Sequence, residues 1–351
     1  MDYRVLSSKI ESNAPNLVES VMQCIYEERF EKLKGSERIE KSRRDLKYIY
    51  NYLSEAVYFD NKEIFEDFSS WLNNLFKNIG LEEKTFIKTY RCIIDKNQEY
   101  FDKKEEKYLN NIIEDSIAFV VNTQKETKSF IDKNNHHSGY AKRYLELLLD
   151  SKKRKARQLI IDDALNNMGV DEIYLDIFQP VQQEVGRLWH LNEVSVAQEH
   201  YISSVTQLIM SQLYPHFLSM GGKKGNIVTT AVGNELHEIG IRMVADLLEV
   251  DGYDTIHLGA NTPDFSIVET LENNNTKLIG ISVTLPIHLK KLDNLVKSIR
   301  KNDSLNNIKI IVGGYAFNKQ PNLYQQFDVD DYSVNARDAV KKINKLTGVV
   351  S

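Results

Sequence analysis

From residue 226 onward the chain alternates between two kinds of segment. Five short apolar runs, IVTTAV, YDTIHLG, KLIGISVT, IKIIVGG and DDYSV, have the length and β-branched content of strands. Between them lie IGIRMVADLLEV, DFSIVETLEN, LKKLDNLVKSIRKN and the Gln-rich PNLYQQF, and ARDAVKKINKL follows the last. Strict alternation predicts a doubly wound parallel sheet, a flavodoxin-like α/β domain over 225–351. Such a sheet binds ligands outside the carboxyl ends of its strands.

Everything before this reads as helix. Over 1–124 apolar residues recur at three and four in NLVESVMQCIYEERF, DLKYIYNYLSEAVYF, EIFEDFSSWLNNLF, FIKTYRCII and YLNNIIEDSIAFVV. KETKSFIDKNNHHSG (125–139) lacks period and reads as a linker, with His136 and His137 solvated. Over 140–220 four more amphipathic pieces predict a four-helix bundle, with Gly169 expected to end the second as a C-cap. GGKKGN (221–226) marks a hinge-like change of character. The architecture expected is therefore an all-helical first domain, a bundle and a sheet domain.

Composition excludes several classes. A net charge of -5 lacks the basic excess of a nucleic-acid binder, and KSRRDLK (41–47) is short enough to be a solvated helix face. Cys24 and Cys92 stand in ordinary helical surroundings, so neither a disulfide framework nor a thiolate metal site is expected. No apolar run reaches membrane-spanning length and the start is not a signal peptide, so a cytoplasmic location is expected. No histidine precedes His136, which weighs against histidine-ligated haem in the first domain. Trp71 and the Tyr-rich faces there fit plain core.

The loop after the first predicted strand runs Gly233-Asn234-Glu235-Leu236-His237-Glu238-Ile239-Gly240. A neutral imidazole at a strand's carboxyl end is a competent transition-metal ligand, and a carboxylate two residues earlier can hold its other nitrogen. Taken alone, His237 reads more plainly as an incidental residue of a helix N-terminal loop. Two further loops carry Ser282-Val283-Thr284 and Gly313-Gly314, polar donors and space-clearing glycines. On the bundle, Ser195 opens a capping box that starts the fourth helix. This brings Trp189, His190, Glu199 and His200 to one end of the hairpin, where Trp as core with a polar rim is the plain reading.

Together these loops resemble the cobalamin-binding domains of methyltransferases, mutases and photoreceptors, whose pattern is Asp-x-His-x-x-Gly, Ser-x-(Thr or Leu), Gly-Gly. The resemblance implies cobalamin with His237 as lower cobalt ligand, oriented by Glu235. Leu236 and Gly240 would stand beside the corrin, Ser282 and Thr284 on the nucleotide tail, and Gly313 and Gly314 along its slot. Glu235 departs from the usual Asp. The Trp189-x9-Glu199-His200 spacing is similar to that of adenosylcobalamin-dependent photoreceptor repressors. There the bundle caps the upper face: Trp189 against the adenosyl group, Glu199 bonded to it, and His200 in the same cap. His190 would take the upper cobalt site after light. The resemblance covers 140–351 and implies a light sensor, not an enzyme, in which photolysis of adenosylcobalamin changes bundle–sheet packing. Output would pass through the first domain to a signalling partner or a second copy, with no nucleic acid or membrane contact. A bilin in 1–124 follows from a further likeness to photocobilin-like receptors. The other readings are a corrinoid methyl carrier serving a methyltransferase and a non-photic cobalamin sensor.

Overall fold

The computed structural model describes residues 1–27, 35–123, 128–132, 135–217 and 224–348. They fall into two compact units, Met1–Thr127 with His190–Asn192, and Lys128–Trp189 with Glu193–Ser351.

Among the described residues the first unit holds five long helices: α1 (Tyr3–Tyr26), α2 (Glu37–Tyr58), α3 (Glu63–Asn78), α4 (Glu83–Asn97) and α5 (Lys103–Asn122). Local chemistry sets their ends. The Asp2, Ser36 and Asp102 side chains accept first-turn N–H groups, with Glu105 completing a capping box at Asp102. Gly80, at φ 81°, takes the left-handed turn after α3. The expected apolar stripes bury Leu17, Val21, Leu53, Phe65, Phe86, Tyr90, Leu109 and Ile113. α1 begins well before the stripe starting at Asn16, because the Asp2 cap nucleates it, and it runs through Pro15.

One expectation is corrected here. Cys24 of α1 and Cys92 of α4 form a disulfide, with Cα atoms 5.8 Å apart and 68 residues of sequence between them. Sequence surroundings carry no information on a contact of that separation; the packing of α1 against α4 creates it.

The second unit joins the bundle to the sheet. α6 (Ser138–Leu149) is followed by α7 (Lys153–Gln158), which continues through a wide π-type turn at Leu159–Ala164. A second π-type turn, Ile173–Phe178, leads into α8 (Gln179–His190), and α9 (Val196–Leu213) completes the bundle from the Ser195 capping box. Pro180 has no N–H to give the Asp176 carbonyl one turn back. The wide turn adjoins that break, and the Asn135 amide donates to the orphaned carbonyl at 2.6 Å. Gly169 is not a C-cap: at φ -71° and ψ 160° it is the N-cap of the next helical turn, its N–H bound to the Glu172 carboxylate. The segment expected to be a free linker is partly docked, since Ile131 is buried and the Phe130 N–H donates to Glu184. Residues 124–127, 133–134 and the first half of the expected hinge, up to 223, lie outside the described residues.

The sheet has five parallel strands, β1 (Asn226–Ala231), β2 (Asp254–Gly259), β3 (Leu278–Ser282), β4 (Lys309–Gly313) and β5 (Asp331–Ser333), in the order β2-β1-β3-β4-β5. Helices α10 (Ile239–Val250), α11 (Asp264–Asn273), α12 (Leu289–Arg300), α13 (Tyr315–Lys319) and α14 (Ala336–Thr347) connect and follow them. The order reverses between β1 and β3, so their following loops diverge and open a crevice at the carboxyl edge. The bundle core continues onto the sheet domain through Met243 and Leu247 of α10 and Ala336 of α14. At that seam Tyr174 donates to the buried Asp246 carboxylate at 2.6 Å.

Two measurements check this packing. Denatured, unreduced protein should show no free thiol, and Cys92→Ala should lower the first unit's stability by about 4 kcal/mol, as expected for a closed loop of this length; two titratable thiols would contradict the bond. Burial raises the Asp246 carboxyl to about 6 despite the Tyr174 hydrogen bond. Its folded value lies above its unfolded one, so its contribution to stability is most favourable below pH 4 and is lost as pH rises through 6. Asp246→Asn should therefore raise the thermal midpoint at pH 8 and change it little at pH 4.

Candidate functional site

The crevice is organised by one carboxylate. Glu235 is 0% exposed. Its Oε1 accepts the backbone N–H groups of Leu236 (3.0 Å) and His237 (3.1 Å) and the imidazole Nδ1–H of His237 at 2.5 Å. Its Oε2 accepts the N–H groups of Thr284 (3.0 Å) and Leu285 (2.9 Å) in the loop after β3. Burial by itself would raise this carboxyl, but the His237 and Leu285 hydrogen bonds outweigh it and hold it at about 2. A shorter aspartate arm would have to span both loops from the same backbone position; the extra methylene of Glu235 reaches them.

The consequence falls on His237. With Nδ1 bound to Glu235, Nε2 carries the lone pair and has no hydrogen-bond partner among the described residues. The side chain keeps 57% of its exposure, so this nitrogen is accessible. The Glu235 hydrogen bond raises the imidazole above its ordinary value, against the opposing effect of burial. Such a histidine is oriented, basic and open at one nitrogen, the donor a transition metal needs.

The neighbouring loops are placed as the sequence order implies. Ser282 ends β3 in register with Ala231 of β1 and Gly313 of β4, which puts all three loops side by side. Gly314, at φ 103°, passes so close to β3's loop that a Cβ would stand 2.3 Å from the Val283 carbonyl oxygen. This glycine is demanded by loop packing. Gly240 lies exposed in the first turn of α10 with open space around it, and Leu236 is also exposed.

On the bundle, Glu199 stands near enough to His237 to add to the raising of its imidazole. Glu199 Oε2 accepts from the exposed His200 ring at 2.5 Å. Ser203 Oγ lies 3.0 Å from both Glu199 Oε1 and Gln182 Oε1. Gln182 Nε2 donates to Thr206 Oγ1, which also stands 3.1 Å from the Tyr144 hydroxyl. Trp189 is partly buried. His190, its neighbour in sequence, groups instead with the first unit: it is 7% exposed, parallel to the Trp71 ring, with Nε2 2.9 Å from the Trp71 carbonyl. Sequence reasoning missed His288, in the turn after Thr284, which senses the charges of Glu235 and His237. It also missed the Gln182–Ser203 pair. Neither sits in a recognisable spacing; both are brought in by the fold.

Comparison with known proteins bears on the two parts of the second unit. Residues 140–214 and 225–341 each match a B12 binding domain family, the first covering the bundle and the second the sheet domain. Both parts of the second unit thus resemble B12 binding domains, the sheet domain having a Rossmann-like fold. Over 166 residues the chain is 27% identical to the dimethylamine corrinoid protein of Methanosarcina barkeri, covering 47% of this chain and 75% of that one. Over 209 residues it is 26% identical to a corrinoid protein of Desulfitobacterium hafniense, covering 55% and 95%. The solved structure of the Methanosarcina barkeri monomethylamine corrinoid protein shares the fold, with a TM-score of 0.54 at 16% identity, covering 60% of this chain and 99% of that one. Cobalamin binding is supported. These relatives are corrinoid proteins.

Replacing Glu235 tests the clamp. Its folded pKa is depressed, so its contribution is present above about pH 4.5 and is lost as pH falls towards 2. Glu235→Gln turns an amide N–H₂ towards backbone donors and should cost about 3 kcal/mol at pH 7. In urea titrations the gap from the parent protein should shrink at pH 3; a gap independent of pH would reject the clamp.

Proposed function

We propose that this chain is a corrinoid protein that binds cobalamin with His237 as lower ligand and carries an alkyl group, methyl foremost, for a partner methyltransferase. The observation that carries the reading is the Glu235–His237 pair, a buried carboxylate holding an imidazole whose other nitrogen is open. Bound cobalamin would supply a cobalt atom able to hold a carbon ligand on its upper face. The chain's residues then have separate tasks. Glu235 keeps the proton on Nδ1 and so keeps Nε2 available. Leu236 would offer a bound corrin an apolar surface, and Gly240 would leave the approach clear. Ser282 and Thr284 provide hydroxyls for the tail, beside the loop of Gly313 and Gly314. The corrinoid relatives support the carrier role.

A second reading, an adenosylcobalamin light sensor, is favoured by the bundle. Trp189 with Glu199 suits a nucleoside ligand, and the Ser203 hydroxyl stands within hydrogen-bond distance of the Glu199 carboxylate. His200 belongs to that cap, and His190 is the upper-ligand candidate after light. In this reading the first unit transmits the change to a second copy or a signalling protein.

Loading purified full-length protein with methylcobalamin and adenosylcobalamin separates the cases. His237→Ala should abolish the histidine-nitrogen coupling in the paramagnetic resonance spectrum of the Co(II) form, and an unchanged coupling would end the assignment. A carrier should bind both forms comparably, lose affinity for both equally in Glu199→Ala, and show no light-dependent change in mass or shape. A sensor should lose adenosylcobalamin affinity selectively in Glu199→Ala and change its mass or hydrodynamic shape under green light.

A further inference from the structure

His136 and His137 precede the bundle in a segment that apolar periodicity leaves unexplained, and the cobalamin reading gives them no task. The fold brings His137 next to the start of the third bundle segment. There one ligating atom from each of His137, Glu172 and Asp176 lies within 4.8 Å of the other two, and His137 Nε2 is 3.5 Å from Glu172 Oε1. Glu172 and Asp176 are four residues apart in a continuous helical run, which sets them on one face.

The three groups are held in place by other residues. The Gly169 N–H donates to Glu172 Oε2 at 2.8 Å, which leaves Oε1 turned to His137. That bond, with the His137 contact, keeps the Glu172 carboxyl below its ordinary range. Asn135 ties the histidine's loop to the helix: its amide donates to the Asp176 carbonyl at 2.6 Å and its oxygen accepts the His137 N–H at 2.8 Å. The carbonyl it caps is the one Pro180 leaves without a helical donor. The break in the helix and the position of the histidine are therefore one construction.

We propose that His137, Glu172 and Asp176 form a binding site for a divalent transition-metal ion of the zinc class. Imidazole with two carboxylates is a mixed nitrogen and oxygen set suited to zinc, whereas magnesium and calcium prefer oxygen alone. Nitrogen and carboxylate ligands stand about 2.0–2.2 Å from zinc, so atoms within 4.8 Å of one another need only small rotations to close on one ion. All three side chains are partly exposed, which lets the ion enter from solvent and leaves room for water to complete four-coordination. The charges of the two carboxylates balance that of the ion. A bound ion would fasten the segment entering α6 to the bundle.

The test uses full-length protein freed of metal with a chelator and titrated with zinc chloride against a chromophoric zinc indicator. One equivalent should bind and raise the thermal midpoint. Asp176→Asn and Glu172→Gln should each weaken binding about tenfold or more, and His137→Ala should remove it. Circular dichroism of the metal-free variants, matching the parent, shows that the loss is not unfolding. His237→Ala should retain the equivalent; its loss there would place the ion at the cobalamin histidine and overturn the proposal. So would the absence of a stoichiometric equivalent, parent-like binding in Asp176→Asn and His137→Ala, or displacement by equimolar magnesium.

Discussion

A single buried carboxylate holds the crevice of the sheet domain in order. Two loops leave β1 and β3 in diverging directions, and each exposes backbone N–H groups that no strand partner can take. Glu235 accepts four of these donors and an imidazole N–H as well. Five donors around one anion offset its desolvation, which is why a fully buried glutamate stays ionised here. The orientation of His237 is then a by-product of closing the loops. The same bonds that bring the loops together also choose which imidazole nitrogen is left open.

The bundle is tied to this arrangement through α10, the helix that begins just after His237. Its outer face supplies Met243 and Leu247 to the bundle core and Asp246 to Tyr174. Glu238, at its N-cap, takes the Gln207 amide of α9 at 2.8 Å and the Ala260 N–H of the loop after β2 at 3.1 Å. The helix that follows the candidate ligand is thus the one the bundle grips, so a change at His237 has a short mechanical route to Glu199 and its neighbours. The polar chain Glu199–Ser203–Gln182–Thr206–Tyr144 runs back into the bundle interior. The Ser203 hydroxyl has one proton for two acceptors, Glu199 Oε1 and Gln182 Oε1, so it serves one of them at a time.

Periodicity and chain order determined much of this protein by themselves. Strand and helix alternation located all five strands, and the spans of α10 and α11 match the segments read from the sequence, because apolar runs with polar breaks leave a buried parallel strand few alternatives. The Glu235–His237 spacing and the Ser195 capping box are also local, so they were legible before any fold was known. What only the tertiary structure decided depends on residues far apart in sequence. The Cys24–Cys92 bond needs α1 against α4. The two π-type turns answer Pro180 and the packing of the bundle, and no simple period marks them. Gly169 moved from a helix end to a helix start because Glu172 captures its N–H. His190 left the group of Trp189, and His137 left the solvent for two carboxylates on another helix. Sequence pattern reports how a segment meets water and its own neighbours within a turn or two. It is silent on which distant groups share a cavity, since that follows from the summed packing of whole elements.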